Sequence, residues 1–281
     1  MIAGMIARRK PWVRGVLPGF GLTMGTTLLF ISLVVLLPLA ALLSQAASPG
    51  WAEFWRIISS ERAVATYKLT LSSALIASIF NLFLGLLLAW ILTRYEFWGR
   101  GLLDAMVDLP FALPTAVAGL SLTYLLGPNG WFGQWLQALG ITVVYTQLGI
   151  ISAMIFTSTP FVVRAVQPVL EDMDTAAEEA AASLGASPWQ IFSGIILPLL
   201  VPALLAGFAL AFARSLGEFG AIIFIAGNLP YHTEITALLI MIRLEEYHYA
   251  AAAAIASVVL AAALVMLFVI NLLQGWAYRQ R

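Results

Sequence analysis

Four charged residues stand inside otherwise apolar stretches of this 281-residue chain: Asp104 and Asp108, then Arg214 and Glu218. The members of each pair are four apart, so on a continuous helix their side chains share a face. An isolated charge in such a stretch costs at least ~3 kcal/mol, so each must be compensated or used. For the aspartates two chemistries are open. Carboxylates at the start of a helix favour its positive dipole end, which is the preferred reading; deeper ones would serve a proton or cation relay. For Arg214 and Glu218 the preferred reading is a mutual salt bridge that fixes the end of a span. The alternative is an arginine that lines a pathway and offers its cation to a passing anion. Gly217 lies between the two and would weaken the pairing if it broke the helix. Together with Phe219, Pro110 and Pro114, this pair forms a candidate pathway or gate.

Other chemistries find no residues. Without cysteine there is no disulfide, thiolate metal site or cysteine nucleophile. His232 and His248 fall in or beside one loop with no third partner, and are read as solvated rather than metal-binding. No Gly-rich loop ending in Gly-Lys-Ser/Thr occurs, and no Ser-His-Asp set, so the chain is expected to bind no cofactor and to be no enzyme. A net charge of zero argues against a nucleic-acid partner.

The elements that must position these charges are membrane spans. The chain is 62% hydrophobic and 10% charged, against about 25% charged in soluble domains. Its mean hydropathy is +0.95. The fold class expected is all-α: a polytopic membrane protein of six transmembrane helices. The basic segment with Arg8, Arg9, Lys10 and Arg14 precedes an apolar run over 17–43, about twice as long as a signal-peptide core and therefore read as a retained first span. Residues 44–68 carry Trp51 and Trp55, as expected at a membrane interface. Further spans are expected over 69–92, 102–126, 148–163, from 191 to near Arg214, and 249–273. Asn81 is expected to bond a neighbouring helix, and Pro160 and Pro168 to kink the end of the fourth span. A short apolar piece over 219–226 need not cross, and 227–247 reads as a polar external loop. Three parts follow: 1–66 (basic segment, first span, external loop), 67–273 (the remaining spans and their loops) and 274–281 (tail).

Lysine and arginine set the orientation. Arg8, Arg9, Lys10, Arg14, Arg94, Arg100, Arg164, Arg279 and Arg281 fall at ends and loops assigned inside. Arg56, Arg62, Lys68 and Arg243 fall outside. Both termini are therefore expected in the cytoplasm, together with the loop after the fourth span.

That loop is the most distinctive stretch. Thr175 and Glu178 have the spacing of a capping box, and alanines then favour helix. Gly185 stands where a left-handed C-terminal cap belongs. Ser187, Pro188 and Gln190 start a second helix that continues into the fifth span. Five acids between Glu171 and Glu179 are read as a solvated face that would also meet basic residues on a partner.

The stretch resembles the cytoplasmic EAA loop, or coupling helix, of ABC importer permeases. The pattern of Glu-Ala-Ala, glycine and Ile-x-Leu-Pro falls on Glu179, Ala180, Ala181, Gly185, Ile195, Leu197 and Pro198 with every spacing met. The runs from Asp104 to Gly119 and from Arg214 to Gly220 are similar to those of sulfate and molybdate permeases. With Leu17 to Phe20, Thr157 to Arg164 and Gly227 to Pro230, the similarity covers nearly the whole chain. The nearest family is the T (or U) subunit of the type I sulfate/thiosulfate permease. The resemblance implies a six-span core, a W-type sister permease, two copies of a cytoplasmic ATPase that holds ATP and Mg, and a periplasmic sulfate/thiosulfate-binding protein. It implies ATPase docking through the seven residues of the loop pattern. Location in the bacterial inner membrane follows from the same likeness. Two alternatives stay open: a molybdate/tungstate permease, and a proton-coupled carrier using Asp108 and Glu218.

Overall fold

The computed structural model describes residues 20–279, so Arg8, Arg9, Lys10, Arg14, the start of the first span and Arg281 lie outside it. Every regular element among the described residues is helical. Helix α1 (Phe20–Ala47) buries only Ala46 and meets the last helix of the chain through its second half. An apolar helix exposed nearly all round requires lipid or another protein as its solvent. A short helix, α2 (Trp51–Ile58), follows, with the rings of Trp51, Phe54 and Trp55 packed on one another. The segment expected at a membrane interface from its tryptophans thus forms a short helix of its own.

Three helices form the centre: α3 (Glu61–Arg94), α7 (Gln147–Glu171) and α9 (Pro188–Leu216). Small residues let them approach closely. A Cβ added at Gly85 would stand 2.7 Å from Val162, and one at Gly207 would stand 2.9 Å from Val162 Cα. Val162 of α7 is thus seated between glycines of α3 and α9, as spans pack through small residues in a membrane. Asn81 bonds a neighbouring helix as expected. Its amide donates to Ser158 Oγ at 2.8 Å and Ile155 O at 3.2 Å, and accepts from Thr159 Oγ1 at 2.9 Å.

The third span is not one helix. Helices α4 (Arg100–Ala112) and α5 (Thr115–Leu126) meet at a bend of 115°. Pro114 biases Leu113 to extended backbone, and Leu113 takes φ −83°, ψ 134°. Between α5 and α7 lies α6 (Trp131–Ala138), where Trp131 and Trp135 share helical spacing. The hairpin helix α8 (Ala176–Ser183) precedes α9. The 219–226 piece is the single turn α10 (Ile222–Ile225), buried against α5 and too short to cross. Contact is close: a Cβ on Gly119 would lie 2.3 Å from Ala221 O.

The expected polar loop over 227–247 contains a helix, α11 (Thr236–Glu245), with Thr236, Leu238 and Leu239 buried. Thr236 N donates to Thr70 Oγ1 at 2.9 Å, which anchors the helix start on α3. The last helix, α12 (Tyr249–Arg279), packs Ala252 to Ile255 inward. Among the described residues, five helices (α1, α3, α7, α9, α12) are long and apolar enough to cross a membrane, and α4–α5 makes a sixth if the bent pair counts as one broken span. Helix α3 starts earlier than the expected 69, and α7 runs on through Pro160 and Pro168 to Glu171.

Candidate functional site

The α8–α9 hairpin is built from local caps. Gly185 has φ +86°, the left-handed conformation that glycine adopts at least cost. Its N–H donates to Ala182 O at 3.0 Å and Ala186 N donates to Ala181 O at 3.0 Å, the two bonds of a Schellman turn. Ser187 then opens α9: its N–H donates to Gln190 Oε1 at 2.7 Å, and Ser187 Oγ accepts from Gln190 N. The expected box at Thr175 is not formed. Thr175 already has helical backbone and makes no cap bond; Asp174 Oδ1 accepts from Ala176 N at 3.0 Å instead.

Glu178, freed from capping, forms an ion pair with Arg94 at the end of α3. The guanidinium also lies 5.4 Å from the centroid of the Trp90 ring. Trp90 packs edge-on against Phe192, which stacks with Trp189. The hairpin is therefore fastened to α3 by charge and by rings. Between them runs a cleft of about 460 Å³ lined by Glu178, Glu179 and Ala182 from one side and Pro188, Phe192 and Ile196 from the other. Arg94 and Glu178 are 84 residues apart, so no local spacing links them, and by its charge alone Arg94 bears only on topology.

Glu179 and Ala180 are exposed and Ala181 is half-buried. Thr175 Oγ1 donates to Glu179 Oε1 at 3.1 Å. Leu184 and Trp189 project at the tip, 89% and 71% exposed. Ile195, Leu197 and Pro198 do not line the cleft. Ile195 belongs to a π-helical turn over Phe192–Ile196, immediately before Leu197 and Pro198. Proline clashes with the carbonyl four residues back, here Gly194, and the wider turn relieves that contact. The Ile-x-Leu-Pro residues Ile195, Leu197 and Pro198 thus lie on α9 outside the cleft, while Glu179, at the cleft, and Ala180 are exposed.

Asp104 and Asp108 lie beyond the first turn of α4, so the helix dipole does not account for them. Both are held by Arg164 of α7. Its Nε and Nη2 donate to the two oxygens of Asp108 at 2.9 and 2.6 Å, and Nη1 donates to Asp104 Oδ1 at 2.7 Å. Arg214 Nη1 lies 2.7 Å from Glu218 Oε2, so Gly217 ends the helix without parting the pair. Glu218 is 1% exposed, and its Oε1 accepts from Ala221 N at 2.9 Å. Phe219 packs on the core around Ile222 and Ile225. Gly220 abuts Thr115, where a Cβ would stand 2.1 Å from Oγ1. The segment after α9 thus seats on the α4–α5 break at Pro114, while Pro110 stays within α4.

At the other end of α3, Arg62 holds the buried Glu234 through two bonds, of 2.8 and 2.6 Å. This pair, too, was not anticipated. His248 is exposed and stands 3.3 Å from Glu246. The Arg243 guanidinium, then His248, hold the Glu246 carboxyl below its ordinary range.

The family described as binding-protein-dependent transport system inner membrane component matches residues 81–280. The sulfate transport system permease protein CysT of Escherichia coli (strain K12) is 61% identical over 262 residues, covering 93% of this chain and 95% of its own. The probable sulfate transport system permease protein cysT of Nephroselmis olivacea is 49% identical, covering 89% and 88%. Among solved structures, a chain of a bacterial ABC transporter involved in the import of the acidic polysaccharide alginate superposes with a TM-score of 0.75 at 20% identity, over 91% of this chain and 94% of that one. A chain of the inward-facing MetNI methionine ABC transporter gives 0.52 at 17% identity, over 77% and 94%. At these identities the two structures bear on the fold alone.

Proposed function

This chain belongs to the binding-protein-dependent transport system inner membrane components, in the CysT family of sulfate permeases, and from that membership we propose that it carries sulfate and thiosulfate across the bacterial inner membrane as one pore-forming half of an ATP-driven importer. As a permease subunit it is a transport component and not an enzyme; ATP and Mg belong to a separate ATPase chain.

The α8–α9 hairpin carries the reading. It is capped at both of its helices, fastened to α3 through Arg94–Glu178, and presents Glu179, Ala180, Leu184 and Trp189 outward. A rigid, exposed helix clamped to a long span is what an ATPase needs in order to move that span. In this reading the hairpin is cytoplasmic, as are both termini, and each ATPase copy docks on one permease. The sister is a W-type permease, and a periplasmic binding protein delivers the anion to the far side. Residues 67–273 form the permease domain proper.

Purifying the complex and reconstituting it in liposomes tests the proposal by asking which oxyanion supports ATP-dependent uptake. Sulfate or thiosulfate is expected; uptake confined to molybdate and tungstate would overturn the assignment. Glu179→Arg, at the exposed edge of α8, is expected to release the ATPase from the purified complex while Arg94–Glu178 stays intact. Unchanged ATPase stoichiometry in that variant would remove Glu179 from the docking surface.

A further inference from the structure

We propose that Arg214 is the group this chain presents to the translocated tetrahedral dianion, an inference that rests on the transport reading above. Depth comes first. The next residue, Ser215, is fully buried and donates to Ser158 Oγ at 3.2 Å, and Ser158 in turn is bonded by Asn81. At 1.5 Å per residue, Asn81 stands about 20 Å along α3 from Arg94 and about 28 Å from Arg62. The Asn81–Ser158–Ser215 layer therefore lies inside the apolar slab, far from the charged ends of α3.

The second observation is what Arg214 does with its donors. Arg62 holds Glu234 through two aligned bonds, Arg164 holds both aspartates and Gln167, and Arg94 donates to Glu178. Arg214 Nη1 stands against Glu218 Oε2 at 2.7 Å as an ion pair, and its Nε and Nη2 donate to no described residue. Charge is partly neutralised at Nη1 while the Nε and Nη2 donors stay unspent.

Exposure is the third. The Arg214 side chain is 31% exposed, on a face of α9 shared with Leu210, which is 50% exposed, and with exposed Gly217. A guanidinium at this depth does not face lipid, because bare hydrocarbon would cost several kcal/mol. This face of α9 must border a hydrated path or a protein that shares one.

The chemistry then selects the ligand. The planar guanidinium, with its Nε and Nη2 donors open, matches two oxygens of a tetrahedral oxyanion. Buried Glu218 offsets much of the positive charge, so the hold is weak enough for release, as conduction requires. A cation would be repelled by the fork, and a neutral solute would not repay its desolvation.

The test uses the whole importer in liposomes, with radiolabelled sulfate uptake measured beside ATP hydrolysis. Arg214→Gln is expected to assemble and to hydrolyse ATP when the loaded binding protein is added, but to move at least about tenfold less sulfate per ATP. Arg214→Lys, which keeps charge without the fork, should fall between. Because a single change leaves Glu218 unpaired, Arg214→Met with Glu218→Met supplies an apolar pair that needs no partner. It should assemble and stay transport-dead. A measurement on the unaltered complex stands beside the variants: sulfate, and not chloride, should slow phenylglyoxal labelling of Arg214 and leave Arg56 unaffected. Wild-type sulfate transport per ATP in the Gln or double Met variant, or identical labelling in sulfate and chloride, would overturn the inference and leave a purely structural pair. If the unaltered importer moves no sulfate at all, the transport reading fails instead.

Discussion

Gly185→Val is expected to abolish anion uptake while the chain still reaches the membrane. The site is open, since a Cβ at Gly185 meets nothing within 4 Å. The penalty is therefore backbone strain and not a clash. With φ at +86°, a β-branched residue is disfavoured by about 1–2 kcal/mol. If valine escapes to negative φ, the bonds from Gly185 N to Ala182 O and from Ala186 N to Ala181 O cannot both survive. Helix α8 then loses its cap, and Ser187 and Pro188 launch α9 in a different direction. Arg94 would still hold Glu178, so the damage falls on the angle between the two helices, which is what a docking surface depends on. Asparagine tolerates the left-handed region, and Gly185→Asn should keep most of the uptake. Transport into liposomes and co-purified ATPase should be compared for both variants. Wild-type transport by the valine variant would sink the account. Equal loss in both would move the cause from φ to some other property of the glycine.

What could be read from the sequence divides by range. Ser187, Pro188, Gln190 and Gly185 act within five residues of one another, and the structure forms each bond they imply. Asn81 was legible because a lone amide in an apolar run has only other helices to bond. Thr175 was misread because two adjacent residues could cap α8, and the choice fell to Asp174 once Glu178 was drawn to Arg94. That pair spans 84 residues, and no local spacing announces it. The same holds for Arg62 with Glu234 and for Arg164 with the aspartates. In the sequence each arginine bears on topology, which depends on its charge and not on its partner. The bend at Pro114 shows another limit. Pro110 stays inside α4 while Pro114 marks the break, and nothing in their neighbours separates the two. The decision is tertiary: α5 is seated on Ala221 through Gly119, and that contact requires the 115° turn. Helix α11 was missed because polar residues from Gly227 to Glu234 and Glu245 to His248 flank a core of only ten residues.

Arg164→Met is expected to loosen the junction of α4 with α7 and to lower stability and uptake together. Arg164 joins α4 to α7 through both oxygens of Asp108, one of Asp104, and the Asp104 carbonyl. Removing it leaves two carboxylates four residues apart on one helix face, repelling each other. Breaking a buried pair from one side costs about 3–5 kcal/mol. Asp104 and Asp108 are 41% and 48% exposed, so the loss should sit at or below the lower part of that range. The variant should give less purified complex and a lower unfolding temperature in detergent. Adding Asp104→Asn and Asp108→Asn removes the stranded charges, and should restore stability together with much of the sulfate uptake. A proton-coupled carrier would behave in the opposite way. If Asp108 passed protons, the rescued variant would be stable and dead, and Asp108→Asn alone would stop transport with the fold intact. The structure favours the first outcome, because Asp108 is committed to Arg164 on both oxygens and Glu218 is paired with Arg214. Uptake and unfolding measured on the same preparations separate the two, since a latch loses stability and transport together and a relay loses transport alone.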